Sequence, residues 1–286
     1  HRCAPVGTDK LSCSMRTAVR TLAVLLAAPA HALRSAHPLL SNEAARTYRA
    51  AAASHFAQIM PLVKPSLLAA SENKTEDRAA GKALLKRMDR AAQTPECMTP
   101  IARRGYVRTV YDDRAFQVCE LFGAAHRAGV KLARGARVAS LGGGPGCCLL
   151  GYRVFERISF GAATSQLWVY DYADAWRDDV AALADALGEP IPFGACDLAR
   201  PLAAQENAEV RALAPTYDVV LLSRTLSEVP DSGWRPFLRE LWATLQSGAV
   251  VFVKDEQDVE DDAVRLLGGD AWSVPGVRGV FLRRGE

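Results

Sequence analysis

Histidine is scarce in this sequence, with five residues in a chain of 286. Three of them, His37, His55 and His126, lack the short spacing that is typical of paired metal ligands. The adjacent Cys147 and Cys148 are more typical of small packing residues at a helix start than of a metal or redox centre. We therefore expect no metal site.

The sequence also lacks an apolar run of membrane-spanning length near its start. Two arginines after Met15 precede an apolar run at 22–28, and an Ala-x-Ala cleavage pattern ends at Ala32. This order predicts a targeting or signal-like segment over residues 1–40. The run itself is shorter than the ~20 residues that a spanning helix needs. No integral membrane segment is expected after the signal is removed.

The cysteines do not form an obvious disulfide framework. The full sequence has seven, and a cut near Ala32 leaves five, which is an odd number: Cys97, Cys119, Cys147, Cys148 and Cys196. Such a set argues against a strongly oxidising final compartment. Import into a plastid through the secretory route would reconcile the signal-like segment with reduced thiols, and mitochondrial import and secretion are the alternatives.

Charge is unevenly distributed although its sum is only +3. Residues 1–110 carry 17 Lys and Arg against 7 Asp and Glu, which gives +10, whereas the remaining 18 against 25 give −7. The basic helix pattern from Lys82 to Arg90 keeps RNA as a candidate partner. The alternative is an ordinary solvated surface, because part of the charge belongs to the targeting segment.

Residues 41–128 show helical periodicity and no strand pattern, and we expect them to form a helical cap or substrate-recognition region. One helix is predicted to run from residue 41 to Met60, where Pro61 and Pro65 follow. A second is predicted over Glu76–Ala92, with Ala79, Ala83, Leu84 and Met88 on its apolar side. A third is predicted over Asp112–Ala128.

Strands and helices alternate from residue 129 to the end, which is typical of an α/β domain. Two apolar runs, at 219–222 and 250–253, predict strands covered on both faces, and hence a doubly wound, mostly parallel sheet. A short helix around Asp262–Leu267 and a terminal hairpin should follow. The predicted strands are 136–141, 166–170, 191–196, 217–222 and 249–254, with hairpin strands at 272–274 and 279–283.

A glycine-rich turn at 142–146 follows the first of these strands. It does not have the G-x-G-x-x-G spacing of a dinucleotide site, because Cys147 and Leu149 occupy the third position in the two possible registers. No Gly-Lys-Ser/Thr follows, which excludes a phosphate-binding P-loop. The spacing that fits is G-x-G-x-G.

With Gly142, Gly144 and Gly146 alternating, the segment resembles motif I of class I S-adenosylmethionine-dependent methyltransferases, whose common form is V-L-D-L-G-x-G-x-G. The resemblance covers about residues 100–284. It implies a Rossmann-like methyltransferase sheet, completed by a terminal hairpin, and S-adenosyl-L-methionine as the cofactor held by the turn.

Ser140 is the departure from motif I. The resembling family usually has an acid at this position that helps place the amino group of the methionine moiety, whereas serine carries no charge. Ser140 and Gly143 are nevertheless expected to border the cofactor together with the alternating glycines.

The ends of the next two strands carry acids. In the resembling family an acid at the end of strand two accepts both ribose hydroxyls, and Asp171 matches it, with Tyr172 beside it as an adenine neighbour. Asp197 matches the acid that accepts from the adenine amino group, and Leu198 offers a backbone N–H and an apolar contact. The alternative for both acids is a turn or helix-capping role.

Strand four ends without the Asn/Asp-Pro-Pro-Tyr motif of amide and adenine methyltransferases, so no DNA acceptor is expected. Ser223 should border the methionine moiety, and Glu228 is the candidate general base for a hydroxyl or amine acceptor. Glu228 is equally compatible with buttressing the next helix.

The sequence thus predicts a methyltransferase that transfers the sulfonium methyl to a small molecule, RNA or protein. The alternatives are an inactive methyltransferase-like scaffold or assembly factor, which the serine at 140 favours, and an NAD(P)-dependent oxidoreductase, which the glycine spacing disfavours.

Overall fold

The computed structural model describes residues 42–68, 73–88, 98–268, 270–273 and 279–285. The targeting segment predicted over residues 1–40 lies outside the described residues, as do Arg90 and the turn of the terminal hairpin. No helix among the described residues combines the length and the apolar content that a membrane span requires.

Seven strands form one mixed sheet. They are β1 (Arg137–Leu141), β2 (Gln166–Asp171), β3 (Phe193–Ala195), β4 (Val219–Ser223), β5 (Val250–Lys254), β6 (Asp270–Ser273) and β7 (Val280–Arg283). Their order is β3-β2-β1-β4-β5-β7-β6. The first five strands are parallel, and β7 runs antiparallel to both β5 and β6. The predicted parallel sheet and terminal hairpin are both confirmed.

Helices connect the strands and precede them. They are α1 (Asn42–Leu67), α2 (Lys74–Met88), α3 (Pro100–Tyr106), α4 (Asp112–Arg127), α5 (Cys147–Phe160), α6 (Arg177–Leu187), α7 (Ala208–Leu213), α8 (Trp234–Thr244) and α9 (Gln257–Leu267). The helix predicted around 262–267 therefore begins one and a half turns earlier than expected.

Both faces of the sheet are covered, as the continuous apolar runs predict. Alternate side chains of β4 belong to different cores: Val219 and Leu221 pack with α1, α4 and α5 on one face, whereas Val220 and Leu222 pack with α8 on the other. A strand whose side chains all point into a core has no polar face. The N-terminal helices α1 and α4 thus form part of one layer of the α/β fold.

Helix α1 continues through both prolines, so the prediction that it stops at Met60 is wrong. A proline inside a helix costs about 3 kcal/mol, because it removes a backbone hydrogen bond and crowds the preceding turn. Val63 and Leu67 lie beyond Pro61 and are buried in the core. Their burial continues the apolar stripe of the helix and outweighs the local cost.

Helix α2 buries Leu84 and Met88 as predicted, but the rest of its buried side differs from the prediction. Ala79 and Ala83 are exposed, and Asp77 and Gly81 are buried instead, together with Leu84 and Met88. The carboxylate of Asp77 pairs with two arginines of the following helical segment, Arg104 Nε at 3.1 Å and Arg108 Nε at 2.9 Å. The apolar pattern of α2 does not predict the burial of Asp77, because the arginines that pair with it belong to another helical segment.

Gly81 and Gly105 bring α2 and α3 into backbone contact. A Cβ on Gly81 would lie 2.2 Å from the carbonyl carbon of Gly105, so only glycine fits at this crossing.

A π-helical segment, Val107–Tyr111, joins α3 to α4 without a break. A π-helical turn holds more residues than an α-helical turn and therefore rotates the following side chains relative to the preceding ones. Tyr106 and Arg114, eight residues apart, consequently point to the same side: the guanidinium carbon lies 5.0 Å from the centre of the tyrosine ring. The helical pattern of the sequence gave no sign of this segment.

Candidate functional site

The glycine turn lies at the carboxyl end of β1 and bends through left-handed backbone conformations. Gly142 has φ +62° and Gly144 has φ +51°, which side chains other than glycine rarely adopt. A Cβ on Gly142 would lie 2.2 Å from the methyl group of Thr225. A Cβ on Gly144 would instead have Trp176 as its nearest neighbour, at the ordinary contact distance of 3.8 Å, so this glycine is not closely packed.

Asp171, at the end of β2, is joined to this turn. Its Oδ2 accepts the backbone N–H of Gly144 at 2.9 Å, and its Oδ1 accepts that of Ala173 at 2.9 Å. Burial raises the pKa of Asp171 to about 6, against the opposing effect of these N–H donors. A carboxylate held in a buried place where ionisation is disfavoured is typical of a functional site.

Asp197 follows β3. Its backbone N–H donates to Asn207 Oδ1 at 2.8 Å, and its Oδ1 accepts the N–H of Ala199 at 2.9 Å. The second bond is a local turn contact, which is the alternative to a binding role for Asp197. The other carboxylate oxygen can still accept from a ligand.

A cavity of about 210 Å³ opens at these strand ends. Its wall comes from the ends of β1, β2, β3 and β4 and from the N-terminal helices. Its lining residues include Tyr106, Arg114, Gly142, Asp171, Trp176, Asp197, Thr225 and Glu228. Ligands of open α/β sheets gather at this edge, so the cavity is the candidate functional site.

The structure brings six of the predicted site residues to the cavity wall. They are Gly142, Asp171, Tyr172, Asp197, Leu198 and Glu228. The other five, Ser140, Gly143, Gly144, Gly146 and Ser223, are not among its lining residues. Ser140 is buried beneath the turn, where its Oγ is 2.8 Å from the position that a Cβ of Gly143 would take.

The N-terminal helices contribute an aromatic and cationic wall. The ring of Tyr106 packs against that of Trp176 with centroids 5.4 Å apart. Arg114 donates through Nη1 to the hydroxyl of Tyr106. Tyr111, in the π-helical segment that follows Tyr106, is fully buried in the core and does not line the cavity.

The loop after β4 is held in place from β5. The carboxylate of Asp255 accepts the N–H groups of Thr225, Leu226 and Ser227 through Oδ2, at 3.1, 2.9 and 3.3 Å. Arg224, just before them, has φ +59°, an uncommon conformation for a residue with a side chain. The buried carboxylate thus fixes a strained loop that forms one side of the cavity.

Four residues of this site were missed from the sequence: Arg114, Trp176, Thr225 and Asp255. Asp255 directly follows the fifth strand, so the reasoning applied to the ends of strands two and three would have found it. Arg114 and Trp176 lie within helical stretches whose pattern does not distinguish a cavity wall from a core.

Among the described residues, no group of three or more His, Cys, Asp or Glu side chains is placed to hold a metal ion. Cys147 and Cys148 are buried free thiols at the start of α5.

No protein-family model matches the sequence, and no curated protein matches it. Several solved structures match this chain. An O-methyltransferase family protein from Burkholderia thailandensis is 16% identical, with 74% of this chain and 71% of that chain covered and a TM-score of 0.48. A putative S-adenosyl-L-methionine-dependent methyltransferase from Methanococcus maripaludis is 12% identical, with 76% and 96% covered and a TM-score of 0.46.

The trans-methyltransferase CalH, in complex with SAH, is 15% identical, with 84% of this chain and 91% of that chain covered and a TM-score of 0.44. The chain spans less than two thirds of some other matches, such as 42% of the [4+2]-cyclase SpnF and 62% of the pyocyanin biosynthetic protein PhzM. The strand order and the registers of the seven strands define the fold.

Proposed function

We propose that this protein is an S-adenosylmethionine-dependent methyltransferase. The observation that carries the proposal is the bond from the Gly144 N–H to Asp171, which ties the glycine turn to the acid of the neighbouring strand at the cavity wall. The terminal antiparallel hairpin, which the resemblance to class I methyltransferases implies, supports it.

The residues present fit this cofactor. The carboxylate of Asp171 accepts the N–H groups of Gly144 and Ala173 on different oxygens, with the N–H of Tyr172 as a further donor, and retains acceptor capacity for a ribose hydroxyl. A Cβ on Gly144 would contact only Trp176, which lines the cavity, so a larger side chain at this position would extend toward the cavity wall. Asp197 and Leu198 would border the adenine, as the resemblance implies.

The cofactor supplies an activated methyl group on a sulfonium, so the chain has to orient the acceptor and exclude water. Tyr106, from the N-terminal helices, and Trp176, from the helical turn after β2, form one side of the cavity. Glu228 is half-buried at the cavity wall, where it could take a proton from a hydroxyl or amine acceptor.

Small molecules, RNA and protein remain the candidate acceptor classes. The apolar side chains of Met88 and Met98 on the cavity wall favour a small acceptor. The exposed Lys82, Lys86 and Arg87 of α2 are the part of the basic helix that would serve RNA binding.

The test is calorimetric titration of the purified protein with S-adenosylmethionine, S-adenosylhomocysteine and NADH. We expect the first two to bind and NADH not to bind. If the folded protein binds neither sulfur compound, the proposed function is wrong. Tight binding of NADH would favour the oxidoreductase alternative instead.

Binding of S-adenosylhomocysteine should depend on pH through Asp171. Ribose hydroxyls donate to the ionised carboxylate, and burial holds the pKa of Asp171 at about 6 in the folded protein. Lowering the pH through this value protonates Asp171, so the affinity should fall by up to about tenfold for each pH unit below it. Titrations between about pH 5 and about pH 8 measure the effect.

Asp171→Asn is the matched control, because it keeps the shape and removes the titration. It should bind more weakly near neutral pH and lose the pH dependence. An unchanged pH profile in this variant would show that another group titrates.

A further inference from the structure

Helix α2 carries basic side chains at a regular interval of four residues along its length. They are Lys74, Arg78, Lys82 and Lys86, and all of them are exposed. Residues four apart lie next to one another on the surface of a helix, so these side chains form a single row. With a rise of about 1.5 Å per residue, the row is about 18 Å long. We refer to these residues as the α2 row.

Little within the protein neutralises the α2 row. Across the described ranges, none of its side chains forms an ion pair, whereas Arg104 and Arg108 both pair with Asp77. The other acid of the helix, Glu76, is two residues from its nearest neighbours in the row, and residues two apart do not face one another. Like charges four residues apart on a helix repel. The row is therefore a line of uncompensated positive charge that an anionic partner would stabilise.

The α2 row connects two openings in the protein surface. At its first residue, Lys74 lines a groove whose wall also includes Lys64 and Arg108. At its other end, Met88 follows Lys86 by two residues and lines the cavity that the proposed function assigns to the cofactor. A polymer that follows the row from the groove is therefore led to the cavity wall.

The regular spacing of the row favours a nucleic-acid strand as the partner. Such a strand carries one phosphate per nucleotide, and single strands bind along positively charged surfaces that follow their backbone. A lipid surface fits less well, because the exposed large apolar side chains among the described residues are Leu62 and Tyr172, and neither belongs to α2. Since the row ends at a cavity, the strand has to present an unpaired nucleotide there, as the loops and ends of RNA do.

We propose that the α2 row binds the phosphates of a single-stranded RNA and leads one nucleotide to the cavity as the methyl acceptor. The inference rests on the proposed function and names its acceptor class. A lone pair of the nucleotide forms the bond to the methyl carbon, the electron pair of the broken carbon–sulfur bond stays on sulfur, and Glu228 takes the acceptor's proton. Met88 and Met98 then contact a single base, which is a small group.

The test measures the binding of a short, fluorescently labelled single-stranded RNA of mixed sequence by anisotropy at several salt concentrations. Each phosphate contact to a single strand changes the slope of log K against log salt by about −0.7. One contact for each side chain of the row gives a slope of about −2.8, so the affinity should fall about 50-fold between about 50 and about 200 mM salt.

The double variant Lys82→Gln/Lys86→Gln removes two of these contacts. Its slope should be smaller by about 1.4, and RNA of any sequence should bind more weakly. Lys131→Gln/Arg239→Gln is the matched control, because it removes two exposed charges outside α2 and should leave the slope unchanged. Lys82→Arg/Lys86→Arg keeps the charges and should bind RNA as the parent does. Thermal melting and the affinity for S-adenosylhomocysteine should match the parent in every variant, because none of these residues lines the cavity.

Cross-linking measures where the bound strand lies. Two RNAs of the same sequence carry 4-thiouridine at the 5′ end or at the 3′ end, and mass spectrometry locates the linked peptides after irradiation. One RNA should link to the groove at Lys64 or Arg108, and the other should link to the cavity wall at Met88 or Met98. Links at neither end to the cavity wall would show that the strand does not reach it, and the acceptor assignment would be wrong.

The remaining outcomes separate the inference from the proposed function. If the parent binds S-adenosylhomocysteine but does not bind RNA, the inference is wrong and the proposed function stands. Equal loss of RNA binding in the row variant and the matched control would assign the binding to overall charge, and the inference is again wrong. If the parent does not bind S-adenosylhomocysteine, the proposed function is wrong, and the acceptor assignment is wrong with it.

Three further ligands represent the other anionic partners. They are a DNA strand of the same sequence, a poly-glutamate peptide and vesicles that contain phosphatidylserine. We expect each of them to bind the parent more weakly than the RNA. Tighter binding of any one of them, lost in Lys82→Gln/Lys86→Gln, would assign the α2 row to that partner and overturn the inference.

Discussion

Replacing Gly144 by valine is expected to weaken S-adenosylhomocysteine binding by about a hundredfold or more, which corresponds to about 2.7 kcal/mol of binding free energy. The side chain would extend toward Trp176 at the wall of the cavity that the proposed function assigns to the cofactor. Calorimetric titration of the variant measures the effect.

The valine also strains the backbone, because Gly144 has φ +51°. Gly161→Val is the matched control: Gly161 has φ +75° at the end of α5, and a Cβ there would meet no atom within 4 Å. Both variants should lose similar thermal stability, and only Gly144→Val should lose binding. Parent-like affinity in Gly144→Val would mean that the glycine turn is not the cofactor site.

The sheet could be predicted from the sequence because its signal is local. Parallel strands covered on both faces are continuous apolar runs, and β4 and β5 lie within one or two residues of the predicted ranges. The N-terminal helices were predicted less well. In α1 the burial of Val63 and Leu67 overrides two prolines, and in α2 the buried Asp77 depends on arginines from another helix.

The candidate site also contains residues that could be predicted from the sequence and residues that could not. Asp171 and Asp197 could be placed at one edge because the carboxyl ends of parallel strands meet there. Arg114 could not, since it reaches the cavity only because the π-helical segment Val107–Tyr111 rotates it onto the side of Tyr106. One extra residue in a turn changes the face of a helix and leaves little trace in its hydrophobic pattern.

Replacing Asp255 by alanine is expected to lower both the free energy of unfolding and the cofactor affinity. The change leaves the N–H groups of Thr225, Leu226 and Ser227 without their acceptor, which should destabilise the protein by about 3 to 5 kcal/mol. Because the same loop carries Thr225 to the cavity, S-adenosylhomocysteine should also bind about tenfold more weakly. Asp255→Asn keeps one acceptor oxygen and should lose less of both.

Glu156→Gln is the control that separates an effect on stability from an effect on ligand binding. Glu156 is fully buried, pairs with Arg153 and accepts the N–H and hydroxyl of Ser165, at the amino edge of the sheet and far from the cavity. Weakening this buried ion pair should lower the free energy of unfolding by about 3 to 5 kcal/mol, which is comparable to the effect of Asp255→Ala. Denaturant unfolding and calorimetry well below the melting temperatures should therefore show two destabilised proteins, of which only the Asp255 variant binds weakly. Equal binding by both would mean that the loop after β4 contributes no contact to the cofactor.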